Sequence, residues 1–330
     1  MPAQIELYQD SPAARAELVP FLREQFQGKG ACDEAQWLRR LAFWWDLNPV
    51  ADAHPCRGWL MRDGGRIVGY LGVIPTLYED GAGNPVPALI TTSWAVAESC
   101  RHAALPMGMM FQRLGRDLVM VDTTPSPEVQ KLLDRWGWLP HKEVCRSLIV
   151  RGAAGGMLAR VMGFEPPCLA AGRRIVTDAA LVSSVCPARP RSCIQKHITP
   201  AYLRWYLQSP MREHHFAGVV DAAGMLTSCL MLTPRKLRGV PMWKVVDWFT
   251  TESTHDELHA LVAWCMHQTP AKRGAWWPFI SLLSFPEEEV WNGLPLAYTR
   301  DEFLSHYHWL PAALKGTPVR PVMAEGDWGL

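Results

Sequence analysis

The sequence predicts an α+β fold: two α/β/α units in tandem, each around a mixed, mainly antiparallel sheet. Three observations predict it. The first half runs helix, helix, three meandering strands, helix, strand, helix, strand, which is not the order of a doubly wound parallel fold. The order restarts near Thr199-Pro200. Finally, an apolar, β-rich run from Pro87 to Val96 ends in a small-residue basic turn before a helix. That run is echoed by Val246-Asp247-Trp248-Phe249-Thr250.

In chain order, residues 1–45 read as helical. Ser11-Pro12 caps a helix with Leu18, Phe21, Leu22 and Phe26 on one face, and Pro20 inside it implies a kink or a late start. Asp33 caps a second, with Trp37, Leu38, Leu41, Trp44 and Trp45 on its apolar side. From Gly58 the period becomes that of strands, with turns at Asp63-Gly64-Gly65 and Asp80 to Asn84. Pro106 lies in the first turn of the next helix, and Asp117 to Val121 is a strand. Ser126-Pro127 opens a helix closed by Gly137, and Val144 to Val150 is the last strand of the unit.

Residues 151–192 read as a connector. Gly152 to Gly156 and Pro166-Pro167 break regular structure, Met157 to Met162 forms a short helix, and Arg173 to Val185 is strand-like. Residues 1–150 and 193–330 are then the two domains. In the second, Trp205 to Pro210 echoes Trp45 to Pro49, Phe216 to Leu232 repeats the first hairpin, and Glu287 to Trp291 is a short last helix. Superposing Trp94 on Trp248 puts Glu98 on Glu252. The tail from Pro311 reads as surface coil.

A chain of 330 residues is long for one core and comfortable for two. Its net charge of +1 favours neither nucleic acid nor an anionic membrane as partner, although peripheral membrane contact stays open. Nine scattered Cys without C-x-x-C read as small buried hydrophobes in a reducing compartment, Cys100 and Cys229 included. With no basic–apolar leader and no apolar run near the roughly 18 residues that span a bilayer, a cytoplasmic location is expected. His214-His215 and His306-x-His308 lack a Cys or carboxylate at ligand spacing, so no metal is expected. The sixteen Trp are core and repeat-interface packing, or in part the walls of an apolar cleft.

Arg66 to Gly72, Ser93 to Glu98, the loop Arg101 to Pro106, and the helix Glu128 to Leu139 with its Trp136-Gly137-Trp138 ending resemble the GNAT (GCN5-related) acyltransferase superfamily. The whole chain resembles tandem-GNAT proteins, a layout also found in peptidoglycan aminoacyltransferases and exopolysaccharide-cluster acyltransferases. The resemblance implies N-acyl transfer from acyl-coenzyme A, as co-substrate, to a small-molecule amine. An amino sugar or another surface-polymer or natural-product precursor is the acceptor it implies. It also implies a pantetheine arm along Ala95, Val96 and Ala97, and a pyrophosphate at Arg101, His102 and Ala104 with the helix start at Met107 and Gly108. The family loop, Arg/Gln-x-x-Gly-x-Gly/Ala, is altered here: Ala104 replaces the first glycine, and Pro106 removes an N–H donor.

Amine acylation needs a base for the ammonium proton. Glu98, Asp247 and Glu252 are the candidates; the plain alternatives are a solvated loop carboxylate for the two Glu and a structural ion pair, with Lys244 or an Arg, for Asp247. The tyrosine that protonates the leaving thiolate in such proteins has no counterpart in the last helix, where Trp136 stands; Tyr298 is the alternative. Two other functions compete: an aminoacyl-tRNA-dependent transferase, which wants a basic channel, and a non-catalytic binding protein with a decayed acyl-coenzyme A site. Oligomeric state is left open.

Overall fold

The computed structural model describes residues 3–28, 31–187, 193–251, 254–268, 277–285 and 288–325. The first half contains β1 (Gln4–Leu7), α1 (Pro12–Gln25), α2 (Glu34–Trp45), β2 (Gly58–Asp63), β3 (Arg66–Glu79) and β4 (Pro85–Val96). It continues with α3 (Ala104–Leu114), β5 (Val119–Asp122), α4 (Pro127–Trp136) and β6 (Leu139–Val150). Next come α5 (Gly152–Val161), β7 (Arg174–Val176) and β8 (Ser184–Val185). Then come β9 (Gln195–Lys196), α6 (Pro200–Tyr206), β10 (His215–Val220), β11 (Met225–Leu237), β12 (Val240–Thr250), α7 (Asp256–His267), β13 (Phe279–Ser284) and β14 (Tyr298–Trp309).

The two mixed, mainly antiparallel sheets are present as expected, and they join edge to edge in one hydrogen-bonded path. Among the described residues the path is β1-β2-β3-β4-β5-β14-β6-β13-β12-β11-β10-β7. At its centre the halves trade their last strands. β14 of the second half lies antiparallel to β5 of the first, with Tyr307 opposite Asp122. β6 of the first half lies antiparallel to β13 of the second, with Ile149 opposite Ile280. β6 and β14 pair with each other between them.

Helices α1 and α2 cover one face of the first half, over a core that includes Leu18, Trp37, Trp44 and Ile90. The same core runs into the second half. Trp205 of α6 stacks on Phe43 of α2 at 4.6 Å, and its indole N–H donates to the Phe43 carbonyl at 2.8 Å. Helices α3 and α4 cover the other face through Met107, Phe111 and Leu133. On that face of the second half, α7 supplies Leu258, Leu261 and Val262.

Several expectations need correction. The first segment is strand rather than helix: β1 pairs with β2, Gln4 opposite Arg62. Pro20 sits inside a continuous α1, whose capping Ser11 accepts from the Ala14 N–H. The glycines of 152–156 begin α5 instead of breaking structure. A Cβ on Gly155 would lie 2.0 Å from the Val150 carbonyl oxygen, so glycine permits the helix to start against the strand end. Residues 288–294 form turns rather than a helix; 286–287 lie outside the described residues. β14 has no counterpart among the expected strands, because Thr299, Arg300, Asp301 and Glu302 hide its period; Glu302 is paired with Arg146 of β6. The tail is no surface coil: Met323 is 5%, Ala324 0% and Glu325 1% exposed.

Candidate active site

β4 and β5 run parallel for three registered pairs, Ala88–Val119, Leu89–Met120 and Ile90–Val121. The Thr91 hydroxyl then donates to the Val121 carbonyl at 3.2 Å, and the strands part. On its other side β4 stays bound to β3, but two of its residues face one. Tyr70 opposes Ala95 and Gly72 opposes Thr92, which leaves Ser93-Trp94 opposite Leu71. Ser93 has φ +52°, a left-handed conformation that L-residues seldom adopt. This bulge turns β4 away from β5.

A cavity of about 640 Å³ opens through the gap. Thr92, Ser93 and Trp94 form its β4 wall, and Asp122 to Ser126 its β5 wall. From the α1–α2 side come Phe26, Trp37 and Arg40. From α4 comes Val129 and, from the second half, Met211 and Arg212. The walls thus come from both faces of the sheet, so a ligand on one face can meet a ligand on the other.

Beyond β4 the chain makes a 3-10 turn (Glu98–Ala103) and enters α3. No side chain caps this helix. Arg101, His102, Leu105 and Pro106 are exposed around its first turn, and the Ala104 N–H donates to the Arg101 carbonyl of the 3-10 turn. Pro106 is the third residue of α3 and contributes no donor. The Arg101 charge reaches Glu128 at the start of α4. That carboxyl is held below its ordinary range by its own backbone N–H and the Ser126 hydroxyl, with smaller help from Lys131 and Arg101.

The second half repeats the splay but fills it. β12 and β13 are parallel for Met242–Phe279, Trp243–Ile280 and Lys244–Ser281. Beyond that point Arg320 of the tail enters. Its guanidinium lies 3.8 Å from the Trp248 ring centre, 3.5 Å from Asp247 and 2.9 Å from Glu288, which follows β13. Glu325 accepts from Lys196 at 2.9 Å and from the Tyr78 hydroxyl. The start of α7 also carries its own anion. Glu257, 3% exposed, accepts from the Thr227 and Ser228 hydroxyls at 2.7 Å each, with Arg173 at 3.6 Å.

The expected site residues scatter. Glu98 is exposed on the 3-10 turn and outside the cavity lining. Asp247 lies under the tail; burial pushes its carboxyl up to about 6, against the pull of Arg320. Its partner is Arg320 rather than Lys244, which burial brings down to about 7. Glu252 lies outside the described residues. Ala95, Val96 and Ala97 line the splayed edge, where the Ala97 N–H donates to Val68 on the β3 side. Arg101, His102 and Ala104 surround the start of α3. Met107 and Gly108 lie inside the first turns of α3: Met107 is 0% exposed, and a Cβ on Gly108 would meet Trp94 at 2.8 Å and Trp136 at 2.9 Å.

Tyr298 sits on β14 nine residues before Tyr307, so about 30 Å along the strand from Asp122. Cys100 and Cys229 are buried, 8% and 0% exposed. His214 packs on Tyr206 at 4.3 Å, and His215 pairs with Glu213 at 2.9 Å. The residue missed in the sequence is Asp122, 8% exposed on the cavity wall. Its signal was a carboxylate directly after Val119-Met120-Val121, at the carboxyl end of a parallel strand. No helix among the described residues is long and apolar enough to cross a membrane.

No family model matches the chain, and no curated protein does. Solved structures do. A probable N-acyltransferase of unknown function from Enterococcus faecalis superposes with TM-score 0.59 at 10% identity, over 93% of this chain and 72% of that one. Eis1 from Mycobacterium abscessus gives 0.56 at 12%, over 94% and 74%. A GCN5-related N-acetyltransferase from Anabaena variabilis gives 0.54 at 11%, over 92% and 72%. With the parting strands, the bulge and the uncapped helix, these likenesses identify the chain's fold as that of the GCN5-related N-acetyltransferases.

Proposed function

We propose that the chain transfers an acyl group from acyl-coenzyme A to an amine, at the splay of the first half. One observation carries this: the first splay is an open cavity joining both faces of the sheet, while the second is filled by Arg320 and its neighbours. The residues present fit acyl-coenzyme A. The edge of β4 from Thr91 to Val96 that faces the gap is outside the β4–β5 ladder and suits a pantetheine arm. Arg101, His102 and the uncapped start of α3 suit a pyrophosphate. The group would supply an activated thioester there.

The chain's own part is to bind, orient and move a proton. Asp122 is the proposed base. It takes the proton of the acceptor ammonium and leaves the nitrogen lone pair able to attack. The acceptor enters from the α1–α2 side, between Trp37 and Met211. Residues 1–150 and 193–330 are proposed as the two GNAT-like units, with 151–192 as connector. A cytoplasmic location is proposed with it, on the nine scattered Cys without C-x-x-C in the sequence.

Titration with acetyl- and longer-chain acyl-coenzyme A by calorimetry tests the proposal. One equivalent bound per chain is expected, weakened by Arg101→Ala. Binding of neither chain length returns the decayed-site alternative. Asp122→Asn should lower turnover on the order of 10²–10⁴-fold with acyl-coenzyme A affinity kept. Turnover unchanged in that variant removes Asp122 as base.

A further inference from the structure

We infer that α5 docks the chain on an anionic lipid surface, with Met157, Val161 and Met162 in the lipid and Arg151 and Arg160 among the headgroups. The helix is built the wrong way round for water. Its inward residues are small: Gly155 and Ala159 are the buried ones. A Cβ on Gly156 would meet the His267 ring at 3.2 Å, and one on Gly155 the Met266 side chain at 3.6 Å, so α5 lies close against the end of α7. Its large apolar residues are on the outside. Met157 is 67%, Val161 80% and the capping residue Met162 50% exposed. A surface helix ordinarily turns such residues to the core and polar ones to water. Ala153, Met157 and Val161 recur every four positions and are all exposed, so the outer apolar face is continuous.

Charge and size choose the occupant. From Arg151 to Phe164 the chain carries Arg151 and Arg160 and no carboxylate; Glu165 follows the helix. The Arg151 guanidinium donates to the Cys265, Trp277 and Gln268 carbonyls at 2.7, 2.9 and 2.7 Å, which fixes it without neutralising it. Arg160 is exposed and pairs with no carboxylate among the described residues. The chain's net charge of +1 conceals this local excess. An anionic lipid surface supplies the counter-charge along the helix, and an arginine stem can lie over lipid while its head reaches a phosphate. A second copy fits less well, since a two-fold contact between α5 helices sets Arg160 near its own copy. Nor is there length enough for it. Ten residues make a helix about 15 Å long, and a stable protein interface takes about 20–30 residues a side. A lipid surface needs only a short apolar face and a few cations. None of these residues lines the first-half cavity, so the surface stands apart from the acyl-transfer reading.

The test uses the full chain and a vesicle sedimentation assay. Vesicles of phosphatidylcholine and phosphatidylglycerol, two to one, should bind the chain on the order of tenfold more tightly than phosphatidylcholine alone. Raising salt from about 0.1 M to about 1 M should remove that preference. Met157→Ser and Val161→Ser should each weaken binding on the order of tenfold, and Arg160→Gln about fivefold. Their melting temperatures should match wild type, because these side chains are exposed. Amide hydrogen exchange gives a reading that needs no variant: anionic vesicles should add protection over residues 152–164. No binding to either vesicle, equal binding to both, or protection confined to other segments would overturn the inference. Ser variants that bind as wild type does would overturn it too. A dimer in sedimentation velocity that Val161→Asp splits would give the face to a second copy instead of lipid.

Discussion

Gly108 shows how one missing side chain holds the site's shape. Trp94 lines the cavity and rests its ring edge where a Cβ at 108 would stand, 2.8 Å away, with Trp136 at 2.9 Å. Gly108→Ala must push at least one indole aside, which costs about 1–3 kcal/mol in a packed interior. We expect a lowered melting temperature and weaker acyl-coenzyme A binding in this variant; a melt and a titration both matching wild type would show that the indoles give way freely. Arg320 holds the second splay closed. Arg320→Ala removes a guanidinium from Asp247, Glu288 and the Trp248 face at once. Breaking a buried pair on one side costs about 3–5 kcal/mol. Urea denaturation should show a loss of that size, partly restored by Asp247→Asn, because the second change removes the unpaired charge. A loss below about 1 kcal/mol would mean that the contact behaves as a surface ion pair.

At the scale of elements, the seam between β6 and β14 sets an acid limit. His141 opposes His306 across it, and the His141 and His308 ring centres lie 4.9 Å apart. The His308 Nε2 is 3.2 Å from the Tyr78 hydroxyl. Burial pushes His141 down to about 4, His306 down to about 3, and His308 well below its ordinary value. Neighbouring positive charge from His141, and for His306 also from Lys244, adds to the effect. These are bases depressed by folding. Their contribution is fully present above the unfolded value near 6.5 and is lost as pH falls toward the folded values. Asp247 works in the opposite sense. Its carboxyl, raised to about 6, stabilises the fold below about 4 and less as pH rises through 6. Three histidines outweigh one aspartate, since every tenfold change in a group's proton affinity on folding is worth about 1.4 kcal/mol. The urea midpoint should therefore fall between pH 7 and pH 5, and His306→Asn should make the fall shallower. A midpoint that holds or rises over this range would show that the imidazoles ionise without opening the seam.

For the whole molecule, the strand exchange makes the halves interdependent. A fragment ending at residue 150 lacks β14, which leaves β5 with an open edge beside the cavity. A fragment beginning at residue 193 lacks β6, which leaves β13 open in the same way. Unpaired inner strands with apolar faces template aggregation. Neither fragment should give a cooperative melt alone, and co-expression of the two should recover the circular dichroism of the full chain. A fragment 1–150 that melts cooperatively and binds acyl-coenzyme A would show that β14 is dispensable. The second half also closes the cavity wall through Met211 and Arg212, so even a folded first half would lack part of the cavity.

Much of the local structure was legible in the residues themselves. Ser11-Pro12, Asp33, Ser126-Pro127 and Gly137 mark helix ends that the structure keeps, because capping depends on neighbours within three or four positions. The long strand, the turn and the helix after it were readable from apolar period alone. What tertiary structure decided was which carboxylate meets the cavity and which half stays open. Glu98 and Asp122 are both strand-end acids in the sequence, and only the splay of β4 from β5 places Asp122 on its wall. The tail from Pro311 reads as surface coil, and only the groove between β12 and β13 gives Arg320 a buried place. Strand exchange was equally hidden, since the polar run of β14 becomes a strand through partners that come from more than 140 positions earlier in the chain. A helix cap is a local contact and is written locally; a site made where distant strands part exists only once the chain has closed on itself.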